Sequence, residues 1–244
     1  MAKEQGIIID LHAHTYYSNC SQDDPRDVIN VAIENGVNVL GVNDHNYGIG
    51  ERKEQYIAEM RALASAYKGQ ITLLCGIEIA TFPHLFDIKS PNEIANFDYC
   101  LIEHITSRQS IVGGNLIEFC KSLGIPCGIA HTDLFEYCDM YGKNYAEFFT
   151  QMANSGIFWE MNVNYDSIHG YHEHEYVKEF VSNEQKQAIV KASGLCVSVG
   201  FDGHRYKDYD GSRVRAMNSF LQKNGFSTLL SHPVLGKKIK NITL

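Results

Sequence analysis

Short apolar runs alternate along the chain with longer stretches of mixed polarity. GIIIDLH (6–12) is followed by a segment that opens at Asp24-Pro25 and stops at Gly36, and then by VNVLGVND (37–44). Asp can cap a helix, Pro loses nothing in a first turn whose N–H groups are unpaired anyway, and Gly accepts the left-handed turn at the end. Together they predict a helix between two strands. The alternation then continues. A helix near 51–67 leads to the strands ITLLCGIEIA (71–80) and FDYCLIEHI (97–105), and a helix near 113–123 stops at Gly124 before IPCGIAH (125–131). A helix near 145–155 stops at Gly156 before IFWEMNV (157–163), another near 182–193 stops at Gly194 before LCVSVGFD (195–202), and a last one covers about 212–224.

Seven strands with mostly helical connections predict an α/β fold with a parallel sheet, and near-continuous apolar strands predict burial on both faces. An open doubly wound sheet and a closed barrel satisfy this equally. Neither a repeat nor a linker interrupts the pattern, so residues 1–244 are read as a single domain. Two stretches stand apart. NYDSIHGYHEHEYVKEFV (164–181) is a long connection carrying His169, His172 and His174, and 226–244 is a tail with Lys237, Lys238 and Lys240 that either packs under the sheet or moves freely. His172-x-His174 lacks a strand context and reads as exposed loop, part of a candidate lid.

Composition narrows the classes. Apolar residues make up 44% and charged ones 20%, with 5 prolines, so disorder is not indicated. A net charge of -8 removes the basic field that would gather nucleic acid or anionic lipid, although bound divalent ions would offset much of it. MAKEQG lacks the apolar core of a signal peptide, and no run suggests a membrane span, so a cytoplasmic protein is expected. The 7 cysteines, at 20, 75, 100, 120, 127, 138 and 196, form no C-x-x-C pair and suggest neither a disulfide framework nor a zinc ribbon.

The candidate chemistry lies at strand ends. Asp10, His12 and His14 end the first strand, Asp44 and His45 the second, Glu78 the third, His104 the fourth, His131 the fifth, and Asp202 and His204 the seventh. Every one falls at the C-terminal end, where the loops of a β/α barrel converge on a mouth, which favours the barrel. Imidazole and carboxylate groups without a cysteine cluster suit Zn²⁺, Mn²⁺ or Fe²⁺, and more than four ligands imply more than one ion. His12 and His14 alternate so that both can face one ion, and Glu78 can bridge two. Each feature alone is ordinary; six strand ends together are not.

The ordered set Asp10-Leu11-His12-Ala13-His14-Thr15, Asn43-Asp44-His45, Gly76-Ile77-Glu78, Phe97-Asp98-Tyr99 leading to His104, Ala130-His131 and Phe201-Asp202-Gly203-His204 resembles the polymerase-and-histidinol-phosphatase (PHP) superfamily over about residues 8–205. The resemblance implies a distorted TIM-like barrel of seven β/α units that holds two to three divalent ions. By it, His12 and His14 with Asp202 hold one ion, Glu78 bridges to a second bound by His104 and His131, and His45 with His204 holds a third. The family usually supplies an Asp or His shortly after the first motif, where this chain has Ser18-Asn19-Cys20. Asn19 is then a weak candidate for the third ion, Cys20 an unusual thiolate, and that ion is expected to be loosely held. Asn43 stands where the family commonly has Thr.

The expected activity is hydrolysis of a small phosphomonoester by a metal-activated hydroxide, with histidinol phosphate the substrate the family name suggests. A phosphotyrosine-protein phosphatase, a nuclease and a catalytically silent metal-binding module are the alternatives, and the acidic balance argues against the nuclease. Asp44 is expected to orient a ligating histidine. Arg108 and Arg205 are candidate phosphate-binding cations, and Asn162 and Asn164 candidate substrate contacts.

Overall fold

The computed structural model describes residues 6–164 and 175–243. Its order is β1 (Ile9–Asp10), α1 (Pro25–Glu34), β2 (Val39–Val42), α2 (Asn46–Ile49), α3 (Lys53–Ala66), β3 (Thr72–Ala80), β4 (Tyr99–Glu103), α4 (Leu116–Leu123), β5 (Cys127–Ile129), α5 (Leu134–Met140), α6 (Tyr145–Asn154), β6 (Ile157–Asn162), α7 (Glu175–Ser182), α8 (Glu184–Ser193), β7 (Val197–Gly200), α9 (Gly211–Lys223) and α10 (Leu235–Thr243). Helix α1 begins as its sequence dictates, with the Asp24 carboxylate accepting the Arg26 N–H and Pro25 in the first turn. Among the described residues, no helix is long and apolar enough to cross a membrane.

The seven strands pair in parallel in chain order. What separates a barrel from an open sheet is the meeting of β1 and β7. Leu11 N–H donates to the Val199 carbonyl at 2.8 Å, His14 N–H to Gly203 at 2.9 Å, and Asp202 N–H to His12 at 2.7 Å. These bonds nearly close the sheet into the expected barrel. β1 proper is only two residues long. His12 and His14 therefore lie beyond it, on extended chain held by the bridge between Ala13 and Gly203.

Helix α5 (Leu134–Met140) stands where the sequence predicted no element, and the two stretches set apart in the sequence are ordered in the structure where they are described. The connection 164–181 is not irregular throughout, because Glu175–Ser182 forms α7 directly before α8. Its apolar face buries Tyr176, Val177 and Phe180, which a pattern reading dominated by His and Tyr obscured. His169, His172 and His174 lie outside the described residues. The tail packs: Leu229, Leu235 and Ile239 are buried with Ile9, Leu11, Val39, Leu74, Tyr99, Leu101, Ala130 and Phe158. Successive strand side chains point to opposite faces, so these alternate positions fill the barrel interior. Cys75, Ile77, Cys100, Ile102, Ile129, Trp159 and Met161, which lie between them, face the helices. Lys238 of α10 pairs with the buried Asp98, which Arg61 also grips with two bonds of 2.7 Å. The tail thus plugs the end of the barrel at which the strands begin.

Candidate metal centre

The alternation that packs the lower interior also builds the upper one. Two residues beyond Leu101 on β4 comes Glu103, two beyond Gly76 on β3 comes Glu78, and two beyond Phe158 on β6 comes Glu160. All three carboxylates are buried. Gly200 leaves room for them, since a Cβ there would stand 1.9 Å from Glu160 Oε1 and 2.6 Å from His12 Cβ. His104 (φ 65°), His131 (φ 24°) and Asp202 (φ 57°) are the described non-glycine residues with positive φ. Each lies just past its strand and is turned by that rare conformation. Such geometry costs on the order of 1–3 kcal/mol per residue and persists where the surroundings over-determine it.

The side chains converge. His12 Nε2 and His14 Nε2 are 3.1 Å apart, and Asp202 Oδ1 stands 3.5 Å from the first and 3.2 Å from the second. Glu78 reaches His12 and His131 through Oε1, at 3.3 and 3.1 Å, and His14 and His45 through Oε2, at 3.4 and 2.9 Å. Donor atoms about 2.0–2.2 Å from one ion are necessarily about 2.8–3.6 Å apart, so these spacings fit shared cations. Three sets could each seat one: His12–His14–Asp202, His14–His45–His204, and His45–Glu78–Glu103. A cavity of about 90 Å³ opens on them, lined by His45, Tyr47, Glu78, Glu103, His104, His131, Asp202 and His204.

A second layer fixes the rings. Glu160 Oε1 bonds His12 Nδ1 at 2.8 Å, which turns Nε2 toward Glu78 and Asp202, and Glu160 Oε2 accepts the His131 backbone N–H at 2.8 Å. Ser18 Oγ meets His14 Nδ1 at 3.2 Å and accepts the His45 N–H at 2.9 Å. Asp44 bonds no histidine side chain in this set. It accepts from Thr15 N–H and Oγ1, both at 2.6 Å, and from Ser18 N–H at 3.0 Å, and so positions the loop that carries Ser18. Asp10 ties β1 to β7 by accepting from Phe201 N–H at 2.9 Å and Tyr209 O–H at 2.8 Å. Asn162 and Asn164 also support rather than line the site, with amides 3.3 Å from Asp202 Oδ2 and 2.9 Å from the Asp202 carbonyl.

Burial would raise the carboxyl groups, but histidines overcome it. His12 and His45 hold Glu78 well below its usual range, and His12 and His204 do the same for Asp202. Glu103 sits at about 2: burial and the Glu78 charge oppose ionisation, and His104 and His45 outweigh them. His14 falls to about 3 through burial and the neighbouring His204, against the pull of Asp202. Burial also pushes His131 down, yet its bond to Glu78 lifts it to about 9. The centre therefore concentrates buried negative charge that needs cations beside it, a need that divalent ions would meet in place of protons on the imidazoles.

Not every expected residue is in place. Asn19, Arg108 and Arg205 are exposed, and none lines the cavity. Arg205 instead approaches Asp208 at 4.0 Å. Of Ser18-Asn19-Cys20, it is Cys20 whose side chain bonds His204 and His45. The sequence reading overlooked Glu103 and Glu160. Their signal was a lone carboxylate in an apolar strand, in step with interior neighbours.

A family model described as the PHP domain matches residues 10–223. The chain belongs to the PHP domain family. No match was found among curated protein sequences. Among solved structures, the chain is similar to histidinol phosphate phosphatase from Lactococcus lactis subsp. lactis complexed with zinc, L-histidinol and phosphate. The TM-score is 0.63 at 15% identity, over 91% of this chain and 95% of that one. A putative histidinol phosphatase from Listeria monocytogenes gives 0.56 at 13% identity, over 82% and 96%. A chain of an archaeal ribonuclease P bound to mature tRNA gives 0.53 at 16% identity, over 96% and 89%. At these identities the likeness bears on the fold, and it agrees with the PHP-type barrel described above.

Proposed function

We propose that this PHP chain is a metal-dependent phosphoesterase acting on a small phosphomonoester. The observation that carries the reading is the convergence of His12, His14 and Asp202 on one point with Glu78 beside it, at spacings that fit shared ions. In this reading His12, His14 and Asp202 would hold one ion, Glu78 with His131 and His104 would hold a second, and His45 with His204 would hold a third. Zinc, manganese and iron all suit these donors. Two to three such ions would supply Lewis acidity and a water acidified toward neutral pH, the needs of phosphate ester hydrolysis.

The chain's own residues prepare that chemistry. Glu160 and Ser18 fix the imidazoles, Asp44 fixes Ser18, and the donors line one small cavity. A substrate then presents its phosphate at the mouth and leaves its organic part outside, where Tyr47 stacks on His45 with ring centres 4.8 Å apart. Histidinol phosphate is the leading candidate, supported by the L-histidinol and phosphate held in the Lactococcus neighbour. The net charge of -8 weighs against a nucleic-acid substrate.

The test is metal content per chain, measured beside p-nitrophenyl phosphate hydrolysis before and after chelation and Mn²⁺ or Zn²⁺ replenishment. Two to three ions with chelator-sensitive, metal-restored turnover are expected, followed by a preference for histidinol phosphate in a phosphomonoester panel. A chain that takes up no metal after replenishment overturns the reading.

A further inference from the structure

Glu103 has no place in the ligand set read from the sequence, yet it is 3% exposed and its carboxylate enters the cavity. Oε2 lies 2.9 Å from His104 Nε2. Oε1 lies 3.2 Å from His45 Nδ1, which is itself 2.9 Å from Glu78 Oε2. These three facing atoms, His45 Nδ1, Glu78 Oε2 and Glu103 Oε1, are buried and make no hydrogen bond, because none points correctly at another. Short separations without hydrogen-bond alignment are what a shared central ion leaves, since each donor aims at the ion and not at its neighbour. Without an ion, a protonated His45 alone stands between the two carboxylates, within ion-pair distance of both but aligned with neither, and such contacts recover little of the hydration lost on burial.

We propose that Glu103 is a metal-ligating carboxylate which, with Glu78 and His45, forms a cation seat distinct from that of His12, His14 and Asp202, with His45 serving this seat in place of the pairing with His204. Two carboxylates and one imidazole make this seat the more oxygen-rich of the two, and it favours Mn²⁺ over softer ions. Glu78 belongs to both seats, one oxygen facing His12 and His131 and the other His14 and His45, and so couples their occupancy. Glu103 is held rigidly for the role. It ends β4 in register with Ala80, and its carbonyl accepts the Thr81 hydroxyl at 2.7 Å.

The proposal rests on the metal-centre reading above, and its test separates the two. Metal-free wild-type protein, Glu103→Gln, Glu103→Ala and His12→Ala are titrated with Mn²⁺ alone, and the free ion is followed by its electron paramagnetic resonance signal. Wild type is expected to hold one more Mn²⁺ per chain than Glu103→Ala. Glu103→Gln, which keeps the shape and one neutral oxygen, should weaken that ion at least tenfold. His12→Ala should lose a different ion and keep the Glu103-dependent one at reduced affinity. Should both Glu103 variants bind as many Mn²⁺ ions as wild type, equally tightly, the seat is wrong while the metal centre stands. Wild type that binds no Mn²⁺ overturns both. Circular dichroism and a thermal melt of each metal-free variant confirm that it is folded, and Glu103→Gln serves alone if the alanine variant is not.

Discussion

The two ends of one barrel interior are built from the same strands and the same two-residue period, yet they do opposite things. At the lower end Leu74, Tyr99, Leu101 and Phe158 meet Leu235 and Ile239 of α10, and water is displaced by apolar surface. At the upper end Glu78, Glu103 and Glu160 occupy the next inward positions and meet histidines. Burying those carboxylates costs hydration that only their histidine neighbours offset, and left-handed residues at His104, His131 and Asp202 add strain. The lower end supplies stability that the upper end consumes in order to be ready for cations.

Substitutions at the two ends should therefore separate binding from stability. Glu78→Ala should abolish metal loading and turnover, a loss beyond the roughly 100-fold that outer-shell changes reach. The loss should appear as metal stoichiometry near zero in a chain that still folds, although His12 and His45 lose a buried ionised partner and the metal-free protein is weakened by it. A Glu78→Ala chain that loads metal as wild type does would break the comparison. Leu235→Ala should do the reverse, costing about 2–5 kcal/mol, or roughly 5–15 °C in melting temperature, with metal stoichiometry unchanged. Glu160→Gln is intermediate. It keeps the shape but removes the charge that orients His12, so metal affinity should fall about 10–100-fold with little change in the fold.

Asp98 sharpens the lower half of the contrast. Arg61 and Lys238 bond its carboxylate and outweigh burial, which holds it below the ordinary value of 3.8. A depressed folded-state value contributes stability that is complete above 3.8 and is lost as the pH falls further through the folded value. Asp98→Asn should thus lower stability at neutral pH and flatten the acid limb of the stability curve in urea titrations. An unchanged acid slope would remove the carboxylate from the anchoring of α10. The smallest effect is expected for Asn19→Asp, an exposed position where stability should move by less than about 0.5 kcal/mol. Metal count per chain should stay constant. A gain of an ion would show that this loop turns its other face inward.

How much of this was legible in the sequence follows from where each signal is stored. The helix stops at Gly36, Gly124, Gly156 and Gly194, the Asp24-Pro25 cap and the apolar strands are local, and they placed seven strands in order before any contact was known. The strand-end histidines and carboxylates were legible for the same reason, since a parallel barrel delivers C-terminal strand ends to one mouth whatever its details. Closure of β1 on β7, the docking of α10 and the presence of α7 depend on partners distant in the chain, and local pattern carries no record of them. Asp44 shows the limit within a single motif: the residue was found, but its partners, Thr15 and Ser18, lie some 26–29 positions away in sequence and replaced the histidine expected beside it. Glu103 shows it most plainly. By itself the chain determined that a carboxylate sits in an apolar strand; only the tertiary structure brought that carboxylate against Glu78 and His45, because three strands had to assemble before their charges could meet.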